Sequence, residues 1–151
     1  MSEALVCVVD ASVAIKLFLA EPLSNEAYNL FACLADAGSA FHVPDLLYAE
    51  CGNILWKHVQ RGNGTAALAK AHFAAVAQLP LRRESTAALC DDALTLALSH
   101  GISVYDACYV ALSQRLAVPL ITADEKLTNR LVKLVPHVIW LGNWTPPVAN
   151  P

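Results

Sequence analysis

Short runs of β-branched and other apolar residues alternate along this chain with longer segments rich in Ala and Leu. Continuous apolar runs of strand length, spaced by helical segments, mark strands buried on both faces in an α/β sheet. The pattern predicts strands at 5–9, 41–43, 81–83, 120–122 and 138–141. Helices are predicted at 12–20, 24–37, 45–61, 65–78, 86–100, 104–117 and 125–134. Gly38, Gly62 and Gly101 each stand just past a helical run, where a left-handed residue is easily accommodated, and Pro22 and Pro44 suit first helical turns. No internal repeat or charge run interrupts the order.

At 151 residues and 56% apolar composition, the chain is long enough for one domain with a substantial core, expected to span 1–151 with a frayed tail over about 145–151. Mean hydropathy is +0.46, yet the long uncharged stretch near the C-terminus is broken by Pro136, Gly142, Pro146 and Pro147, so no membrane span is expected. Five cysteines without a C-x-x-C pair lie in apolar segments, which fits reduced core thiols. Together with an N-terminus lacking a basic lead into a long apolar run, this predicts a cytoplasmic protein. A net charge of −3 provides no overall field for a polyanion.

Only 15% of residues are charged, and four acids stand at junctions between predicted elements: Asp10 in VVDASVAIK, Glu50 in PDLLYAECGNIL, Asp106 in SVYDACYVALS and Asp124 in LITADEKL. Carboxylates so placed can hold a hard divalent cation. Each also has a plainer reading. Asp10 could cap the helix that follows it, Ser103 and Asp106 form an S-x-x-D cap, and Thr122 to Glu125 reads as a capping box. Glu50 shares a polar stripe with Asn53, Lys57, Gln60 and Arg61 on a helix whose other residues, Leu47, Cys51, Ile54, Leu55, Trp56 and Val59, should be packed. Jointly, strand-end and helix-start acids in a β/α chain can converge on the crevice beyond the carboxyl ends of the strands. The five histidines show no H-x-x-x-H pair, which argues against zinc.

These frames resemble the PIN-domain family, and within it the VapC-type toxins of toxin–antitoxin pairs. The likeness runs through VVDASVAIKLFLAEPLSNEA, PDLLYAECGNIL and DDALTLALSHGISVYDACYVALSQRLAVPLITADEKL, most of the chain. It implies a three-layer α/β sandwich with a central, mostly parallel sheet flanked by helices. It also implies a metal-dependent endoribonuclease whose catalytic carboxylates Asp10, Glu50, Asp106 and Asp124 bind Mg²⁺ or Mn²⁺, supported by Ser12, Thr122 and Asn53. A small VapB-like antitoxin and a homodimer follow from the same likeness. Removing four ionised carboxylates from the count changes −3 to +1, so the site itself accounts for the acidity. Lys16, Lys57, Arg61 and Lys126 are candidate phosphate contacts, and the apolar residues Tyr28, Leu30, Phe31 and Leu34 could meet a partner or the core. An aspartyl-phosphate phosphatase would want a second Asp where Ser12 stands, and a receiver domain a late-strand Lys. The remaining alternative is a degenerate PIN-like module that binds RNA or protein without cutting.

Overall fold

The computed structural model describes residues 3–148. Five parallel strands, β1 (Val6–Val9), β2 (Ala40–Pro44), β3 (Arg82–Glu84), β4 (Leu120–Thr122) and β5 (Val138–Trp140), form one sheet in the order β3-β2-β1-β4-β5. Val8 pairs with His42 on one side and Leu120 on the other, so β1 is the central strand. Successive side chains of a strand point to opposite faces. Cys7, Val8 and Val9 are all fully buried, so helices must cover both faces of the sheet.

The helices are α1 (Ala11–Ala14), α2 (Ser24–Ala32), α3 (Leu46–Gln60), α4 (Ala66–Gln78), α5 (Thr86–His100), α6 (Val104–Leu116) and α7 (Glu125–Arg130). In α6 every residue from Ala107 to Ser113 is buried, and the helix packs on β1, β2 and β4. A helix apolar on every side belongs in the middle of the molecule. It ends at Ala117, which adopts the left-handed conformation at φ 55°. Gly38, Gly62 and Gly101 take positive φ after their helical segments, as their placement predicted.

Three helices are shorter than the periodicity suggested. α2, expected to reach 37, ends at Ala32 and passes into a 3₁₀ turn over Cys33–Ala35. α1 tightens after one turn into a 3₁₀ segment over Ile15–Leu17, which turns both Ile15 and Lys16 into the interior. α7 stops at Arg130, where the chain leaves the helix to bury Leu131 and bring Val138 opposite Leu120. Pro22 and Pro44 lie just outside α2 and α3 rather than in their first turns, with Pro44 closing β2.

Packing corrects two expectations, on Trp56 and Cys90, and settles a third, on α2, in favour of the core. Trp56 is 57% exposed on α3 instead of packed, because the buried stripe of that helix is Leu47, Cys51 and Leu55. Cys90 is exposed, while the other four cysteines are buried; burial pushes the Cys51 thiol up to about 12. Leu30 on α2 is core, and Phe31 packs edge-on against Phe41 with ring centroids 5.3 Å apart. Of the tail, 145–148 has no regular structure and 149–151 lies outside the described residues. Among the described residues no helix is long and apolar enough to cross a membrane.

Candidate active site

The chain steps from β1 to β2 to β3, then crosses back to place β4 on the other flank of β1. The connections leaving β1 and β4 therefore part company, opening a crevice at the carboxyl ends of these two neighbours. Asp10 directly follows β1, and Thr122 ends β4.

Asp10 is 7% exposed, and both of its carboxylate oxygens accept hydrogen bonds from hydroxyls. Ser12 Oγ donates to Oδ1 and Thr122 Oγ1 to Oδ2, the latter at 2.5 Å. The two hydroxyls are themselves held: Ser12 Oγ accepts from the Ala123 N–H and Thr122 Oγ1 from the Asp124 N–H, both at 3.0 Å. The carboxylate is thus clamped across the ends of β1 and β4. It makes no capping bond to α1 although it occupies the cap position. Burial pushes its pKa up to about 6, the two hydroxyl bonds pull the other way, and the carboxylates of Asp106 and Glu50 push it further up.

Glu50 projects from the second turn of α3, where its Oε1 accepts a 2.6 Å hydrogen bond from the hydroxyl of Tyr109 on α6. A buried phenol needs a polar partner, and this one fixes the orientation of the carboxylate. Burial raises the pKa of Glu50, the Tyr109 bond opposes the rise, and Asp106 adds to it. Asp106 sits in the first turn of α6, where Ser103 Oγ accepts its backbone N–H at 3.0 Å. Its pKa is also raised, by burial first, with the Ser103 hydroxyl opposing at the carboxylate and Asp124 adding to the rise. Asp106 is therefore the common neighbour, close enough to act on Asp10, Glu50 and Asp124 alike.

Asp124 is exposed and caps α7, its Oδ1 accepting from the Leu127 N–H at 3.1 Å. The capping reading was right about a cap and wrong about the residue, since Thr122 is turned toward Asp10 instead. Asp106 and Asp124 share a groove of about 200 Å³ with Ser103, Lys126 and Arg130. Asn53 is exposed one turn beyond Glu50, and no hydrogen bond among the described residues joins it to the acids.

Of the proposed phosphate contacts, Lys16 is buried and paired with Glu21 at 2.9 Å, so it is committed to the fold. Lys57 and Arg61 are exposed farther along α3. Only Lys126 shares the acidic groove. Tyr109 escaped the sequence reading because a tyrosine inside an apolar helical run looks like core, and its partner lies 59 residues away.

The donors around Asp10 are hard oxygens, and three of the four carboxylates are destabilised as anions by burial and mutual repulsion. This chemistry fits a hard divalent cation, which would relieve both effects. Among the described residues no group of three or more His, Cys, Asp or Glu side chains stands close enough together to hold a metal ion. Mg²⁺ does not need such a group, because it keeps several waters and takes one or two carboxylates directly.

Residues 7–131 match the PIN domain. The chain is 35% identical over 130 residues to ribonuclease VapC3 of Pyrobaculum aerophilum, covering 85% of this chain and 96% of that protein. The fold resembles the crystal structure of PAE2754 from Pyrobaculum aerophilum, with a TM-score of 0.69 at 24% identity, covering 93% of each chain. It also resembles a toxin–antitoxin complex from Klebsiella pneumoniae, with a TM-score of 0.56 at 15% identity over 88% of this chain and 99% of that one. The chain belongs to the PIN-domain family, alongside the VapC ribonucleases.

Proposed function

We propose that this protein is the toxin of a VapBC-type pair, an endoribonuclease that cuts RNA phosphodiesters with a carboxylate-bound divalent ion. The observation that carries the reading is the clamp on Asp10: a buried carboxylate held by hydroxyls from two strand ends, with the charges of Asp106 and Glu50 near enough to raise its pKa. No structural gain explains gathering like charges in this way, whereas a metal nuclease requires it.

Asp10 and Asp106 are the central ligands in this reading, with Glu50 and Asp124 completing the set. Mg²⁺, or Mn²⁺ in its place, would supply charge for the phosphoryl oxygens and activate a water. Ser12 and Thr122 keep the Asp10 oxygens aimed, and Tyr109 does the same for Glu50. Asp124, exposed at the head of α7, would hold a water or a second ion in this reading. Single-stranded or looped RNA is the substrate form that can reach such a crevice.

The regulatory partner would be a VapB-like antitoxin, supported by the fold's likeness to a toxin–antitoxin complex. A homodimer is part of the same reading. The exposed apolar residues Trp56, Leu68 and Phe73 on α3 and α4 offer more contact surface than α2, whose Leu30 is spent in the core.

The test is RNA cleavage by the purified protein with Mg²⁺, with Mn²⁺ and with chelator, followed by sequencing of the RNA ends. Cleavage that needs the metal and is lost in Asp10→Asn and Asp106→Asn supports the reading. Unchanged cleavage in both variants refutes the site, and metal-dependent RNA binding without cleavage would favour a degenerate module.

A further inference from the structure

The groove between the start of α6 and α7 mixes two kinds of charge. Asp106 lines it from α6, and Asp124, Lys126 and Arg130 line it from the α7 side. The two cations are four residues apart on α7, so they share one face of that helix about one turn apart. Two other basic residues of the chain are neutralised, Lys16 by Glu21 and Arg115 by Asp92. Among the described residues no carboxylate lies within ion-pair distance of Lys126 or Arg130.

Arg130 is also positioned. Its Nη1 donates to the Gly101 carbonyl at the turn between α5 and α6, at 2.5 Å, tying the guanidinium to the chain that leads into Ser103 and Asp106. One of its five donors is used there, and the rest of the planar fork remains for an oxyanion. Gly101 adopts φ 65°, a conformation that turns this segment sharply out of α5. The groove lining holds no aromatic ring on which a base could stack, while its charged groups are two anions and two cations. An acidic peptide would meet Asp106 and Asp124 in the same groove. A polynucleotide suits the mixture, because one phosphate can face an ion held by the acids while its neighbour faces the cations.

We infer that Lys126 and Arg130 bind the phosphate of the nucleotide next to the cleaved bond, fixing the RNA strand along α7 with the scissile phosphate at Asp106 and Asp124. The inference rests on the ribonuclease reading and adds the direction in which the strand leaves the site. It makes this pair a determinant of substrate length: an RNA lacking the adjacent phosphate loses the contact and gains nothing from the two cations.

The experiment is the salt dependence of binding of a labelled single-stranded RNA to the Glu50→Gln protein with Mg²⁺ present. Slopes are compared with those after adding Lys126→Gln, Arg130→Gln or, as a control on α4, Lys70→Gln. Each lost phosphate contact should lower the slope of log K against log salt by about 0.7, while Lys70→Gln leaves it unchanged. In cleavage assays of otherwise unaltered protein, Lys126→Gln should raise KM with kcat preserved. Lys126 is exposed, so its substitution does not endanger the fold and decides the matter if Arg130→Gln proves unstable. A protein that cleaves RNA but shows the parent slope and KM in Lys126→Gln overturns this inference alone. A protein that cleaves no RNA under any metal overturns the ribonuclease reading and this inference with it.

Discussion

Replacing Asp10 by Asn should abolish cleavage and make the metal-free protein more stable. The buried carboxyl has its pKa raised from 3.8 to about 6, so the folded state holds this proton more tightly than the unfolded chain does. Stability contributed by such a group is fully present below about pH 4 and is lost as pH rises through the folded value near 6. A rise of about two units corresponds to about 3 kcal/mol of destabilisation at neutral pH. The amide carries no such penalty, but it can accept from only one of the two hydroxyls of Ser12 and Thr122 with its oxygen, which costs about 1 kcal/mol. The net gain of about 2 kcal/mol should raise Tm by roughly 4–8 °C. Thermal unfolding in chelator at about pH 7 and about pH 4 checks the sign, since the gap between variant and parent must close on acidification. Saturating Mg²⁺ should stabilise the parent and leave the variant unmoved, by mass action on a site only the parent has. A variant less stable than the parent at neutral pH, or a gap of the same size at both pH values, would refute the account of Asp10 as a strained buried anion.

Tyr109→Phe removes the hydroxyl that opposes the rise in the Glu50 pKa, so the acidic limb of the rate-against-pH profile should move to higher pH, read from kcat/KM across the acid range. Thr122→Val deletes one of the two bonds fixing Asp10 and should lower kcat by more than it changes RNA binding, measured by separate kinetic and equilibrium titrations. Ala117→Gly relieves an alanine held at φ 55° on the surface and should stabilise the protein by about 0.5–1 kcal/mol in urea unfolding without affecting cleavage. Ile121→Ala, at a fully buried position of β4 beside β1, should cost about 2–5 kcal/mol in the same assay.

The strands were legible because both faces of this sheet are covered, so β1 and β4 read as unbroken apolar runs whose ends carry the polar residues. Helix lengths were less legible where packing overrides periodicity. Nothing local distinguishes the end of α1 at Ala14 from a continuation to residue 20; what decides it is the need to bury Ile15 and Lys16 together. Lys16 itself looked like a phosphate contact beside Asp10, and only the fold reveals that Glu21 neutralises it. Thr122 had two readings that a local sequence cannot separate, because its choice of Asp10 over its own helix spans 112 residues.

The same reasoning explains why the acids, rather than the hydroxyls or basic residues, were the legible part of the site. Asp and Glu are expensive to bury unpaired, so their appearance at the ends of apolar strands and inside a core helix stands out against a chain with few charges. Their supports, Ser12, Thr122 and Tyr109, are residue types that occur in any fold and acquire meaning only through partners brought from elsewhere. Three carboxylates with raised pKa values cost the folded state stability at neutral pH, and a bound cation would return it. On the proposed reading, the crevice at the end of β1 and β4 is where that exchange takes place, the acids giving up stability that the ion restores.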